Sequence, residues 1–208
     1  MNKPELITFV RSIILGGEPN SDNVRPVHYK RVEQAVTYAF DGMLGQLYKE
    51  GDEGKSEIAS YYVKHYKNQA MLESGGYRYI GLSDKLANIP NGRAIWYCQP
   101  RGDGKPFVQM ERPQIAMLRN THFGQAMNEV VWYIGNVVST SRKQIVFETI
   151  NNSPFTDIRR IDYGIVRGLE SYTDTEDIHI PDGRMDVLVG QAVNWFGKRP
   201  DDKQNNGQ

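Results

Sequence analysis

The chain has 208 residues, 39% of them hydrophobic, and its 25 Lys and Arg residues equal its 25 Asp and Glu residues. A chain of this length buries enough surface to fold without a disulfide or a structural metal, and its single cysteine excludes an intramolecular disulfide. The formal net charge of zero argues against a uniformly basic DNA-binding protein and lowers the repulsion between copies of the chain.

Two amphipathic helices are predicted near the beginning of the chain, over residues 4–15 and 28–48. The first has apolar side chains at helical spacing: Leu6, Phe9, Val10, Ile13 and Ile14. The second has a longer apolar stripe: Val32, Ala35, Val36, Ala39, Phe40, Met43, Leu44 and Leu47. Gly42 and Gly45 either weaken this second helix or allow a neighbouring element to approach closely.

The middle of the chain changes to the alternation of apolar and polar residues that is typical of strands. Strands are predicted near residues 61–66, 70–72, 77–80, 94–99, 107–110, 130–134, 143–150 and 159–172, with a turn at 90–92 and a hairpin after 134. Residues 111–128 have no clear period, so we expect an irregular arm over 100–128 that packs on another surface.

The strongest helix signals lie near the end of the chain. Asp182 and Asp186 favour a helix start, and Gly197 and Pro200 favour its end. Its predicted apolar face is formed by Met185, Leu188, Val189, Ala192, Val193 and Phe196. Trp195 lies off this face and is therefore expected to meet a partner.

These elements predict an α+β protein, with N-terminal helices and one C-terminal helix around a central antiparallel β-rich domain. The predicted divisions are a helical segment at 1–54, the β-rich domain with its irregular arm at 55–180, and the C-terminal helix with a polar tail at 181–208.

No catalytic, cofactor-binding or metal-binding site is predicted. The four histidines are not paired at ligand spacing, and Cys98 lies in an apolar strand where we expect it to be buried. An acidic cluster precedes the last helix, and it suits either a Ca²⁺ or Mg²⁺ site or, as we favour, a solvated loop. Its members are Asp174, Glu176, Asp177, Asp182 and Asp186.

Two further features leave alternatives open. Arg159 and Arg160 begin a stretch in which arginines and tyrosines interleave, which suits either a nucleic-acid surface or, as we favour, a strand with a solvated face. The 12 tyrosines suit interfaces as well as strands. With neither a secretory signal nor an apolar run of membrane-spanning length, the expected location is a reducing cytoplasm.

Several segments together resemble the head–tail connector, or neck ring, proteins of tailed bacteriophages, most closely those of crAss-like podoviruses. They are Glu-Leu-Ile-Thr-Phe-Val-Arg at 5–11, Val-Arg-Pro at 24–26, Tyr-Val-Lys-His-Tyr-Lys at 62–67, Ile-Pro-Asn-Gly-Arg-Ala-Ile at 89–95, Ile-His-Ile-Pro-Asp at 178–182 and Pro-Asp-Asp-Lys-Gln-Asn-Asn at 200–206.

The resemblance implies a structural, non-enzymatic virion protein without cofactors, made in the host cytoplasm. Copies would form a ring, commonly of about twelve, below the portal protein. The ring would contact other neck or tail proteins, surround double-stranded DNA without reading its sequence, and have no membrane contact. The expected partner-binding residues are Met185, Leu188, Val189, Trp195, Phe196, Ile115 and Phe123. The alternatives are a small DNA-binding accessory protein and a carboxylate-dependent hydrolase.

Overall fold

In the computed structural model, the protein has the predicted α+β class, with helices at both ends of the sequence. The structure describes residues 1–16, 28–50, 61–74, 77–89, 94–102, 104–127, 129–136, 143–151 and 158–198. The predicted turn at 90–92 and the polar tail at 201–208 lie outside these residues.

The chain forms two compact units. The helical unit consists of Met1–Tyr62, Leu86–Ala94 and Val166–Gln208, and the sheet unit consists of Val63–Lys85 and Ile95–Ile165. The helical unit therefore contains both N-terminal helices and the C-terminal helix, which are far apart in the sequence.

The helices of the helical unit that the structure describes in full include α1 (Lys3–Ile14), α2 (Tyr29–Glu50) and α5 (Met185–Lys198). Helix α1 begins with a capping box, in which the Asn2 side chain accepts a hydrogen bond from the Glu5 amide (3.0 Å) and the Glu5 carboxylate accepts one from the Asn2 amide (2.9 Å). Helices α2 and α5 run antiparallel, because the Arg31 guanidinium lies 4.8 Å from the Phe196 ring while Glu50 pairs with Arg184 at the other end.

The predicted apolar stripe of α2 is confirmed, since all eight of its residues are buried. The predicted apolar stripe of α1 lies on a helix, but it is only partly buried. Leu6 and Val10 are buried, and so is Ile7, but Phe9 and Ile13 are each 40% exposed. At 3.6 residues per turn, Leu6, Ile7 and Val10 lie on one face of the helix, and this face is buried. Phe9 and Ile13 lie on the adjoining face, which is partly exposed.

The strand predicted over 159–172 is shorter than expected: it ends at Val166. A 3₁₀ turn, Leu169–Ser171, follows Gly168. Leu169 is fully buried, and the Tyr172 ring packs edge-on against Phe40 of α2, at 6.0 Å. The chain turns here because these two side chains fill the core of the helical unit.

Within its described residues, the sheet unit contains two sheets. Their strands are β1 (Val63–Ala70), β2 (Leu72–Ser74), β3 (Tyr77–Gly81), β4 (Ile95–Pro100), β5 (Val108–Gln109), β6 (Val130–Asn136), β7 (Lys143–Thr149) and β8 (Arg160–Val166). The strand order is β1-β8-β4 in one sheet and β2-β3-β7-β6-β5 in the other. The β2-β3, β3-β7, β6-β7 and β4-β8 pairs are antiparallel, whereas β5 pairs parallel with β6. The antiparallel pairing expected from the hairpin is thus confirmed, and its turn at 137–142 lies outside the described residues.

The residue Phe107 connects the two sheets. Its amide donates to the carbonyl of Cys98 in β4 (2.8 Å), its carbonyl accepts from the Trp132 indole in β6 (3.2 Å), and its ring meets Phe147 of β7 edge-on. Cys98 is fully buried, as predicted, and this burial raises the pKa of its thiol.

The stretch predicted to be irregular contains two short helices, α3 (Arg112–Arg119) and α4 (His122–Ala126). Pro113 in the first turn favours the start of α3, and the Gln114 side chain accepts a hydrogen bond from the Glu111 amide (2.9 Å). The prediction was wrong because helices of eight and five residues are too short to show a clear apolar period.

Candidate interaction surfaces

The α3–α4 segment is attached to the sheet unit by a small apolar cluster. Ile115 of α3 is buried against Val131 and Ile150, with Leu118 and Met110 packed around them. Ile115 is the one fully buried side chain of α3, and Leu118 of the same helix packs beside it, so a small apolar contact holds this helix.

A buried ion pair adds a second attachment. The Arg119 guanidinium donates to the Glu148 carboxylate (2.7 Å) and to the carbonyls of Thr149 (2.9 Å) and Ile150 (3.0 Å). Tyr133 donates its hydroxyl to the other Glu148 oxygen (2.5 Å). Burial and this hydrogen bond raise the pKa of Tyr133, so the phenol stays protonated. These bonds satisfy a carboxylate that is only 4% exposed and fix the end of α3.

The turn from α3 to α4 is equally well defined. The Thr121 hydroxyl donates to the Leu118 carbonyl (2.7 Å) and accepts from the Gly124 amide (2.9 Å), so it closes α3 and caps α4. A Cβ atom on Gly124 would lie 1.9 Å from the Leu118 carbonyl oxygen, so only glycine fits this turn.

The α3–α4 segment also presents large apolar side chains to solvent. Met117 is 73% exposed and Phe123 is 69% exposed, although both lie on a segment fixed by Ile115, Arg119 and Thr121. We call Met117 and Phe123 the α3–α4 surface. Exposed apolar groups on a fixed backbone are typical of protein–protein contacts, because little order has to be gained on binding.

The helical unit has an apolar surface of its own. Phe9 and Ile13 lie one turn apart on α1 and are both partly exposed. We call these two residues the α1 surface. They belong to a different unit from Met117 and Phe123, so one chain carries two apolar surfaces of different composition.

The structure separates the seven residues expected to bind partners into three groups. Leu188 and Ile115 are buried within the chain. Met185, Val189, Trp195 and Phe196 of α5 are half-buried, and the Trp195 ring lies 6.3 Å from that of Tyr38 on α2. Phe123 is exposed. Sequence reasoning missed Met117 and, on α1, the exposure of Phe9 and Ile13.

A polar cluster lies on the three-stranded sheet. Asp84 accepts hydrogen bonds from the Lys64 ammonium (2.8 Å) and the Tyr66 hydroxyl, and Tyr66 stacks on Tyr163 with ring centroids 4.8 Å apart. The hydrogen bond to Asp84 raises the pKa of Lys64. The pKa of Tyr66 is raised mainly by burial of the phenol and also by its hydrogen bond to Asp84. Asp84, like Glu148, is thus bound to a cation and a phenol, an arrangement that holds neighbouring elements together.

Parts of the acidic cluster are also paired. Glu176 forms an ion pair with Arg167 (2.6 Å), and Asp177 forms one with the N-terminal ammonium (3.4 Å). Across the residues that the structure describes, no group of three or more His, Cys, Asp or Glu side chains is placed to hold a metal ion. Within the described residues, no helix has the length and apolar character needed to cross a membrane.

No protein-family model matches the sequence, and a search of curated proteins finds no significant match.

Proposed function

We propose that the chain is a structural subunit of a phage head–tail connector. In this proposal, copies form a ring below the portal protein, surround the DNA channel, and bind tail components within the virion. The observation that carries it is the α3–α4 surface, in which Met117 and Phe123 are exposed on a segment held by an apolar cluster and a buried ion pair.

The difference between the two apolar surfaces supports a ring as the kind of assembly. A ring requires a heterologous interface, in which one patch of each copy meets a different patch of the next. The proposed pair is the α3–α4 surface (Met117 and Phe123) of one copy and the α1 surface (Phe9 and Ile13) of the next, all four side chains being partly or largely exposed. The zero net charge supports close approach of identical subunits, because it leaves little long-range repulsion between them.

The sequence resemblance supports the same proposal. It covers segments of both ends and of the middle of the chain, and it implies a portal protein and other neck or tail proteins as partners. The expected partner-binding residues that are buried, Leu188 and Ile115, would act by holding α5 and α3 in place.

The test is assembly in solution. The purified chain is examined by electron microscopy and mass photometry, alone and mixed with the portal protein encoded in the same genome. We expect monomers or weak oligomers alone and rings in the mixture. A chain that stays monomeric in the mixture at high concentration contradicts the proposal.

A matched pair of variants identifies the surface. Met117→Ser with Phe123→Ser should abolish ring formation while leaving the fold intact. Leu72→Ser with Val108→Ser removes two other exposed apolar side chains of the sheet unit and should leave the rings unchanged. Equal loss in both double variants would rule out a specific role for the α3–α4 surface.

A further inference from the structure

Strand β1 forms an edge of the three-stranded sheet. In the strand order β1-β8-β4, β8 is its one neighbour among the described strands. The Tyr62 carbonyl, just before β1, accepts a hydrogen bond from the Arg167 amide (3.2 Å), and the Met71 amide, just after β1, donates to the Arg159 carbonyl (3.0 Å). The start of β1 therefore lies beside the end of β8, so the two strands run antiparallel.

This pairing fixes the direction of the backbone groups along β1. In an antiparallel pair, alternate residues of a strand direct both their N–H and C=O groups to the same neighbour. Because Tyr62 faces β8, so does Tyr66, four positions later, and its ring stacks on Tyr163 of β8 with centroids 4.8 Å apart. The backbone groups of His65 and Lys67 therefore point away from β8, toward the open edge.

The open edge ends at Asn68, which has a positive φ of 57°. Its amide donates to the Asp162 carboxylate (2.6 Å) and its carbonyl accepts from the Arg160 guanidinium (3.1 Å). Both partners are side chains of β8, where a regular ladder would use backbone groups, so Asn68 forms a bulge. The Gln69 side-chain amide then donates to the Lys67 carbonyl (2.9 Å). A bulge limits pairing at the edge of a sheet, so a short open stretch remains before Asn68.

Three backbone groups of this stretch are available to another strand. Within the described residues, the amide and carbonyl of His65 and the amide of Lys67 have no hydrogen-bond partner. Both residues are exposed. The His65 ring leans across β8, where its Nδ1 lies 3.1 Å from the Tyr97 hydroxyl of β4, and it leaves the edge uncovered. An open edge of this kind can bind the extended backbone of another chain as an additional strand.

We propose that the β1 edge, defined by His65 and Lys67, binds an extended segment of another polypeptide with a carboxylate beside Lys67. The backbone groups supply the affinity, and the side chains next to them select the partner. The inference does not depend on ring formation, because it uses neither the α3–α4 surface nor the α1 surface.

The charges of β1 favour an acidic partner over a second copy of β1. The strand contains Lys64, His65 and Lys67 but neither Asp nor Glu, so pairing with itself would place basic side chains opposite one another. The carboxylates nearby do not occupy the edge. Asp84 is paired with Lys64 (2.8 Å), and Asp162 belongs to β8, on the other side of Lys67 from an added strand. The lysines thus block self-association and accept a strand of opposite charge.

The experiment uses a labelled peptide of the sequence Thr-Val-Glu-Val-Glu-Val-Thr. Its valines favour an extended backbone, and its glutamates lie on one face of the strand. Binding to the full chain is measured by fluorescence anisotropy at protein concentrations up to about 1 mM. We expect saturable binding that is at least about threefold tighter than that of the same peptide with lysine in place of both glutamates.

A proline substitution tests the backbone contacts. His65→Pro removes the amide that points to the open edge and leaves the bonds to β8 intact, because proline is tolerated on edge strands where its nitrogen faces solvent. It should weaken binding of the acidic peptide by at least about tenfold. The control His65→Thr removes the ring but keeps the amide, and should stay within about twofold of the wild type.

A charge reversal tests the choice of partner and decides the question if His65→Pro fails to fold. Lys67→Glu should reverse the preference, so that the lysine peptide binds more tightly than the acidic one. Lys105→Glu makes the same change in net charge at another exposed position of the sheet unit. It should leave the preference for the acidic peptide unchanged.

Amide hydrogen exchange measured by NMR locates the site. The acidic peptide should slow exchange of the His65 and Lys67 amides. Absence of saturable binding, equal binding of the two peptides, or full affinity in His65→Pro would overturn the inference. A chain that self-associates, and that becomes monomeric in His65→Pro without responding to the acidic peptide, would show that the occupant is a second copy and overturn the assignment to an acidic segment.

Discussion

Helix α2 and the α3–α4 segment use apolar residues in opposite ways. Helix α2 places all eight residues of its predicted stripe in the core of the helical unit. The α3–α4 segment buries Ile115 but leaves Met117 and Phe123 in solvent, and it depends on Arg119 and Thr121 for its position. The comparison shows that an apolar residue on a helix belongs to the core or to a surface according to what its own chain packs against it.

The largest expected effect is in α2. Phe40→Ala removes a fully buried ring that meets Tyr62 and Tyr172 edge-on, and should lower the free energy of unfolding by about 4 kcal/mol in urea denaturation. Phe123→Ala, the same substitution on the α3–α4 surface, should change it by less than about 0.5 kcal/mol. Similar losses in the two variants would contradict the division between core and surface.

The buried ion pair is the next test. Arg119→Met leaves the Glu148 carboxylate buried without its cation and should cost about 3 kcal/mol of unfolding free energy. Adding Glu148→Gln should recover much of this loss, because the neutral amide needs no cation and can still accept from Tyr133. A cost for Arg119→Met no larger than that of an ordinary surface substitution would show that the ion pair does not hold α3 in place.

The turn between α3 and α4 gives a somewhat smaller effect. In Gly124→Ala, the new methyl group would overlap the Leu118 carbonyl oxygen, so we expect a loss of about 2 kcal/mol. Amide hydrogen exchange should show faster exchange in α4, with little change in α2. Protection in α4 equal to that of the wild type would mean that the turn has room to relax.

The same substitution in α2 should have the opposite sign. At Gly42 an added Cβ would meet only the end of the Gln191 side chain, which is flexible and can move away. The higher helix propensity of alanine should then raise the unfolding free energy, by up to about 1 kcal/mol, in Gly42→Ala. A clear loss would mean that the close approach of α5 requires glycine at this position.

The sequence predicted the parts of the fold that have a long period. The stripe of α2 was predicted residue by residue because 22 residues give six turns in which to see it. The C-terminal helix, the buried Cys98 and the β6–β7 pairing also follow from local patterns. Pro113 and Thr121 are residues typical of helix starts. Without an apolar period beside them, they are too weak a signal to predict α3 and α4.

The candidate surfaces were less predictable. Phe123 was expected to meet a partner, yet so were Leu188 and Ile115, which the chain buries itself. Phe9 and Ile13 belong to the same predicted apolar stripe as Leu6 and Val10, yet they are partly exposed while those two are buried. The spacing of apolar residues along the sequence indicates which of them share a face of a helix. It does not indicate whether another part of the protein packs on that face.

The amino-acid sequence alone determined the fold class, most of the helices and strands, and the balance of charge, since these depend on nearest neighbours and on composition. Only the tertiary structure decided which apolar residues stay at the surface and which cations meet. Arg101 and Arg160 lie far apart in the sequence, and their backbones meet where β4 ends and β8 begins. The pairing of strands is a long-range choice, and that choice provides the buried contacts that hold the α3–α4 surface in place.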